Sequence, residues 1–154
     1  MSHPSPMLAA LVLAISLGVQ APARAHGSPD PGDADFGDVR HATAAFRDVQ
    51  AAQAAGYAQF LDCVAEPGQG AMGIHYLNEA LVGDALLDPL RPEALTYEPK
   101  ENGKLALVGV EYIVFQDAWD ALNPQPPVLF GHPFHLVRSP NRYGVPAFYE
   151  LHLW

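Results

Sequence analysis

The stretch Lys104–Phe115, KLALVGVEYIVF, decides how the fold is interpreted. Its β-branched and aromatic residues predict the longest strand of the chain, entered through the turn-forming Asn102-Gly103. Side chains alternate between the two faces of a strand, so Glu111 shares its face with Leu105, Leu107, Gly109, Ile113 and Phe115. A carboxylate buried on such a face must be paired, hydrogen-bonded, metal-bound or protonated. Glu111 therefore predicts a polar site within an apolar sheet.

Three further apolar segments carry histidines. They are Met72–Leu77, Phe130–Val137 and Phe148–Trp154. Each supplies one candidate ligand, and imidazole and carboxylate groups together suit zinc, iron(II), manganese or copper. We expect a divalent metal site formed by His75, Glu111, His135 and His152; the observation that tests it is whether the Glu111 carboxylate lies within about 5 Å of two imidazoles. Glu150 shares a strand face with His152 and could reach the same ion or orient the His152 ring.

Two other interpretations of these residues remain open. In the first, Glu111 belongs to a hydrogen-bonded core and accepts protons from Tyr76, Tyr97 or a histidine. In the second, the sheet has one solvent-facing side, and the polar side chains are exposed there. No two of the candidate ligands are close in sequence, so no short metal-binding motif such as H-E-x-x-H decides between the interpretations.

The rest of the pattern predicts an α+β fold. Asp35 or Asp38 can cap an amphipathic helix that runs to about Ala55, with Gly56 as its terminator. Short strands separated by turns follow, over residues 71–77, 94–98, 104–115 and 147–154, with a helical turn over 117–122. We therefore expect a single domain over residues 36–154, with one N-terminal helix packed on a mostly antiparallel sheet.

The first residues resemble an export signal. Met7–Val19 is apolar and too short to span a bilayer comfortably, and Ala23-Arg24-Ala25 fits a signal-peptidase site. We expect a signal peptide over residues 1–25, a flexible arm over 26–35, and a secreted or periplasmic product with no membrane segment after cleavage. Cys63 is the single cysteine of the chain. It is either buried and inert, paired between chains, or separated from its partner, and a catalytic or metal-binding role lacks an activating motif.

The net charge and the absence of certain motifs limit the possible classes of function. The net charge is −9 with neutral histidines, which disfavours nucleic acid and anionic membranes as partners and is compatible with a metal ion or a small molecule. The chain contains no G-x-S-x-G elbow, phosphate loop or Cys-x-x-Cys pair. Our first hypothesis is an exported metal-binding protein that acts as a mononuclear metalloenzyme if its coordination sphere is open.

Two hypotheses compete with the metal-binding one. One is a non-catalytic module that binds a small apolar ligand in a pocket lined by Tyr76, Tyr112, Phe134 and Trp154. The other is a cell-envelope interaction protein whose polar residues only order the core. Replacing the histidines separates these hypotheses, because only the first requires histidines for ligand binding.

Several blocks carry a resemblance to known proteins. They read GAMGIHYLN, LDPLRPEALTYEP, LVGVEYIVFQDAWDA, PPVLFGHPFHLV and PNRYGVPAFYELHLW. The region from Gly70 to Trp154 resembles an uncharacterised family of secreted bacterial proteins. That resemblance implies a further C-terminal segment with a second cysteine, which would account for Cys63. More distantly, Leu107–Val114 and Phe130–Val137 are similar to plant oil-body-associated proteins. Neither resemblance implies an established reaction.

Overall fold

A computed structural model describes residues 34–66 and 70–154 of the chain. The helices are α1 (Phe36–Ala42), α2 (Val49–Ala54), α3 (Glu79–Val82) and α4 (Gln116–Asp120), and a 3₁₀ turn spans Ala44–Arg47. The strands are β1 (Ala58–Glu66), β2 (Gly70–Leu77), β3 (Ala94–Pro99), β4 (Leu105–Phe115), β5 (Val128–Leu129), β6 (His132–Pro133), β7 (His135–Val137) and β8 (Phe148–Leu153). The predicted signal peptide and most of the predicted arm lie outside the described residues.

Six of the strands form one antiparallel sheet in the order β1-β2-β3-β4-β8-β7, and β5 pairs with β6 in a separate small hairpin. The α+β class and the mostly antiparallel sheet are therefore confirmed. The four predicted strands are observed with ends within one residue of the prediction. Strand β1 was not predicted, because its mixed sequence AQFLDCVAE has no clear alternation of apolar and polar residues.

The helix expected from Asp35 or Asp38 to about Ala55 is divided into three short segments. Asp35 caps α1, and Asp38 completes a capping box with the Asp35 amide. Near the middle of the predicted helix, the Thr43 hydroxyl donates to the Val39 carbonyl, and Asp48 accepts from the Gln50 amide as a second N-cap. Thr and Asp side chains that bond the local backbone favour such interruptions, and the apolar period alone does not reveal them.

The apolar core lies on the face of β3 and β4 opposite to Glu111. Its largest fully buried side chains include Leu95, Tyr97, Tyr112 and Val114. The buried tyrosines are satisfied by backbone carbonyls, because the Tyr97 hydroxyl donates to Phe46 O at 2.6 Å and the Tyr112 hydroxyl donates to Pro89 O at 2.6 Å. The first of these bonds fastens the 3₁₀ turn to the sheet.

Two smaller findings concern the membrane and the cysteine. Within residues 34–66 and 70–154, no helix combines the length and apolar character needed to cross a bilayer. Cys63 lies on β1 with an exposed side chain, which excludes the alternative of a buried, inert thiol.

Candidate metal centre

The strand register brings three of the four predicted ligands together. Glu111 on β4 is the Cα partner of His152 on β8 on one side and of Ala94 on β3 on the other. His75 on β2 is the Cα partner of Thr96, two residues from Ala94 on β3. Because Ala94 has a small side chain, His75 and Glu111 can approach each other across β3. The three polar side chains therefore converge on one face of the sheet.

The distances within this group are those of a compact site. The Glu111 carboxylate lies between the two rings, with Oε1 3.3 Å from His152 Nε2 and Oε2 3.7 Å from His75 Nε2. One ligand atom from each residue lies within 4.8 Å of the others. Ligand atoms placed tetrahedrally about 2.1 Å from an ion are about 3.4 Å apart. The group could therefore hold a metal ion after small side-chain movements.

Burial makes this group energetically demanding. Glu111 is 5% exposed and His75 is 7% exposed, whereas the His152 side chain is 22% exposed. A buried carboxylate is satisfied by two buried imidazoles only if a ring nitrogen that faces it carries a hydrogen and donates it, or if an ion lies between them. His152 is the most exposed of the three side chains, and His75 is nearly buried.

The two imidazoles differ in their electrostatics. Burial lowers the pKa of His75 below its usual value, and the opposing attraction of Glu111 does not restore it. Burial also acts to lower the pKa of His152, but contact with Glu111 and the nearby Glu150 raise it overall. A neutral imidazole has the free nitrogen lone pair that a metal requires. His75 is therefore available as a ligand near neutral pH.

Two buried polar atoms lie beside the group without a partner. His75 Nδ1 and Thr96 Oγ1 make no hydrogen bond within the part of the chain that the structure describes. Metal-binding imidazoles ordinarily use one nitrogen for the ion and the other as a donor to a nearby acceptor. Glu111 faces Nε2 of His75, and the described residues place no hydrogen-bond acceptor of good geometry at its Nδ1.

His135 lies outside the group. It is on the same sheet face but one strand further out, on β7, as the Cα partner of Glu150, and its side chain is exposed. His132 lies on the separate β5–β6 hairpin, where it stacks against Phe36. Glu150 is nearer to the group. Burial and the adjacent Glu111 raise its pKa to about 7. The structure thus groups His75, Glu111 and His152, with Glu150 beside them.

Trp154 covers the exposed side of His152. The two rings are stacked with centroids 5.7 Å apart and an interplanar angle of 4°. Gly109 makes space for the indole, because a Cβ at that position would lie 2.9 Å from Trp154 Cε3 and 3.0 Å from the Leu153 carbonyl. The packing of Trp154 over Gly109 was not predicted, although an isolated glycine within a strand indicates a close approach of this kind.

Cavities adjoin the candidate ligand group on more than one side. A small cavity of about 70 Å³ reaches His75 and Glu111, and its other walls are largely apolar, including Leu77, Val82, Ile113, Phe115 and Phe148. A polar cavity of about 730 Å³ adjoins His152 on the other side, and its lining includes His135, Asn141, Glu150 and Trp154. The three ligands therefore separate an apolar pocket from a polar one.

A second buried carboxylate, Glu93, was missed. It is 2% exposed, its Oε2 accepts a hydrogen bond from the Ile113 amide at 3.0 Å, and burial raises its pKa to about 8. Glu93 comes directly before β3, and its side chain accepts the Ile113 amide of β4 where the backbone pairing of the two strands has ended. The preceding residue, Pro92, has no amide hydrogen. Its position in a proline-bracketed loop gave no signal of burial.

The aromatic pocket considered from the sequence is not assembled as expected. Tyr76, Tyr112 and Phe134 are buried in the core, whereas Trp154 is 64% exposed. Tyr112 and Trp154 lie on opposite faces of the sheet, because Trp154 shares the face of His152, the partner of Glu111. These four residues therefore do not line one cavity.

Comparisons with protein-family models, with curated proteins and with solved structures found no match for this chain. The resemblances to the secreted bacterial family and to the oil-body-associated proteins consequently stay predictions.

Proposed function

We propose that this chain is an exported metal-binding protein in which His75, Glu111 and His152 hold one divalent ion. The observation that carries the proposal is the convergence of two imidazoles on one buried carboxylate, with one ligand atom of each residue within 4.8 Å of the others. Two histidines and one carboxylate form a donor set used for catalytic zinc and for non-haem iron. Zinc, iron, manganese and copper are all compatible with this set.

The proposal extends to chemistry at the ion. Three protein ligands leave at least one coordination position for water or substrate. Cavities on both sides of the group provide the space for it. An ion held this way supplies Lewis acidity to bound water or a bound carbonyl group. The chain's own contribution is a rigid ligand frame, because each ligand comes from a paired strand.

Location and partners belong to the same proposal. The apolar Met7–Val19 stretch followed by Ala23-Arg24-Ala25 supports export, and we propose a secreted or periplasmic protein on that basis. The acidic charge supports a cation or a small molecule as the partner rather than nucleic acid.

Metal analysis of the purified chain tests the proposal. We expect stoichiometric metal, a rise in thermal stability when Zn²⁺ or Co²⁺ is added, and reversal by a chelator. His75→Ala and His152→Ala should abolish both responses. His132→Ala is the matched control, because this exposed histidine lies on the β5–β6 hairpin, away from the group. Absence of stoichiometric metal together with unchanged stability in chelator would reject the metal-binding function.

The apolar cavity favours a second candidate, a non-catalytic protein that binds a small ligand. In that case His75 and Glu111 form the polar wall of the cavity, His152 pairs with Glu111 behind it, and the apolar side chains provide the affinity. Ligand binding would then survive removal of metal and the His152→Ala substitution. The metal measurements therefore discriminate between the two candidates.

A further inference from the structure

We propose that the centre takes a small amphiphilic ligand, with an anionic oxygen-donor head on the ion and a short apolar chain in the cavity beside His75 and Glu111. This inference rests on the proposed metal-binding function and names the class of molecule that the site accepts. Its basis is that two of the three metal ligands form the polar end of an otherwise largely apolar pocket.

The apolar floor of the pocket is continuous with the metal group. Ile113 and Phe115 follow Glu111 on the same face of β4, and Phe148 is the Cα partner of Phe115 on β8. Leu77 extends the same surface on β2, two residues after His75, and Val82 closes it from α3. A ligand whose head reaches the ion therefore lays its next carbon atoms on apolar side chains.

The volume of the pocket limits the apolar chain. The cavity measures about 70 Å³. A dry engineered cavity of about 150 Å³ accommodates benzene, so half that volume corresponds to about three or four carbon atoms. Longer chains would have to displace Phe115 or Phe148, or extend past the exposed Phe60 into solvent, where they gain no further burial. The site should therefore discriminate by chain length.

The charges favour an anionic head. A divalent ion with Glu111 and two neutral imidazoles carries a net charge of +1 in a largely buried position, and Glu150, the carboxylate beside the group, lies outside the ligand cluster. A buried uncompensated charge is costly, so an anionic oxygen donor is preferred over a neutral one. Any polar extension of the head has room in the larger cavity that adjoins His152. The opposite orientation would place most of the polar atoms against apolar side chains such as Ile113 and Phe115.

A series of alkyl hydroxamates tests the proposal, because the head is constant and only the chain varies. The purified chain is loaded with Co²⁺, whose visible absorption reports both metal binding and ligand exchange. Acetohydroxamate, butyrohydroxamate and octanohydroxamate are then titrated. We expect affinity to rise about fourfold per methylene from the first to the second compound, and to gain nothing further with the third.

Two variants and a control locate the chain-binding surface. Val145→Phe places a larger side chain at the pocket wall, outside the ligand set, and should flatten the dependence on chain length. Phe115→Leu should shift the preference toward longer chains, which provides an independent test if the first variant folds poorly. Val128→Phe is the matched control, since Val128 is an exposed residue of β5 and should leave the series unchanged.

The outcomes test the metal-binding function and the proposed class of ligand separately. Cobalt binding with length-dependent affinity that Val145→Phe removes supports the inference. Cobalt binding with no dependence on chain length, or a dependence that both pocket variants leave intact, overturns the inference while the metal-binding function stands. Failure to bind cobalt overturns the metal-binding function, and the inference falls with it.

Discussion

Glu111 and His152 are Cα partners in the β4–β8 ladder, and their side chains meet with Glu111 Oε1 3.3 Å from His152 Nε2. A direct cross-strand pair is fixed by the backbone hydrogen bonds on either side of it. His75 joins this pair from across β3, at 3.7 Å from the other carboxylate oxygen. The candidate centre is therefore part of the sheet itself, and changes to its residues have consequences for both binding and stability.

Replacing the central carboxylate should separate those two consequences. Glu111→Gln keeps the size of the side chain and removes its charge, so metal affinity should fall at least about 100-fold, whereas the free energy of unfolding of the metal-free protein should change by less than about 2 kcal/mol. Calorimetric titration with Zn²⁺ and urea unfolding measure the two effects. Glu98→Gln is the control, because Glu98 is an exposed carboxylate on β3. Equal Zn²⁺ affinity in Glu111→Gln and the wild type would contradict the ligand assignment.

Glu93 should make the protein less stable as the pH rises. Its pKa is raised from 4.5 to about 8 in the folded protein, so the folded state holds a proton that the unfolded state releases in this interval. The contribution of Glu93 to stability is therefore fully present below about pH 4.5 and is lost toward pH 8, by at most roughly 1.4 kcal/mol per pH unit. Glu93→Gln mimics the protonated acid. The variant should match the wild type near pH 5 and exceed its stability at pH 8.

Urea unfolding of both proteins at several pH values measures this difference. The comparison with Glu93→Gln matters because Glu150 also has a raised pKa, which gives the wild type a similar trend. A stability difference between the two proteins that does not vary with pH would show that Glu93 is not protonated in the folded state.

Gly73 should be intolerant of any side chain. Its φ is +119°, and an added Cβ would lie 2.7 Å from the Tyr97 carbonyl oxygen and 2.9 Å from Thr96 Cγ2. We expect Gly73→Ala to cost about 2–4 kcal/mol, because backbone strain and a clash with β3 add together. Gly103→Ala is the control, since its φ is +76° but no atom lies within 4 Å of the added Cβ. Thermal unfolding should show a larger loss of stability for Gly73→Ala than for Gly103→Ala. Equal losses would exclude the clash with β3 as the cause.

Tyr97→Phe should loosen the attachment of the helical segments to the sheet. The variant keeps the buried ring and removes the hydroxyl that donates to Phe46 O at 2.6 Å. Loss of this buried hydrogen bond should cost about 1–2 kcal/mol and leave the Phe46 carbonyl without its partner. Hydrogen exchange of the amides in α1 and α2 should quicken more than exchange in β3. Unchanged exchange in α1 and α2 would indicate that apolar contacts alone hold these segments.

The sequence predicted the elements of the sheet better than its helical part. β4 was identifiable because a long β-branched run has few alternatives, and its alternation placed Glu111 among Ile113 and Phe115. The division of the N-terminal helix escaped prediction, because Thr43 and Asp48 redirect the backbone through hydrogen bonds that an apolar period does not encode.

The sequence by itself determined that Glu111 lies on an apolar strand face and, if buried there, needs a histidine or another polar partner, because strand periodicity and the cost of a buried charge are local properties. Only the tertiary structure decided which histidines contact the Glu111 carboxylate. β8 lies next to β4 and β7 lies beyond it, so His152 contacts Glu111 whereas His135 is exposed one strand away. Strand order is set by packing of the whole chain, and the pattern within a single strand contains no information about its neighbours.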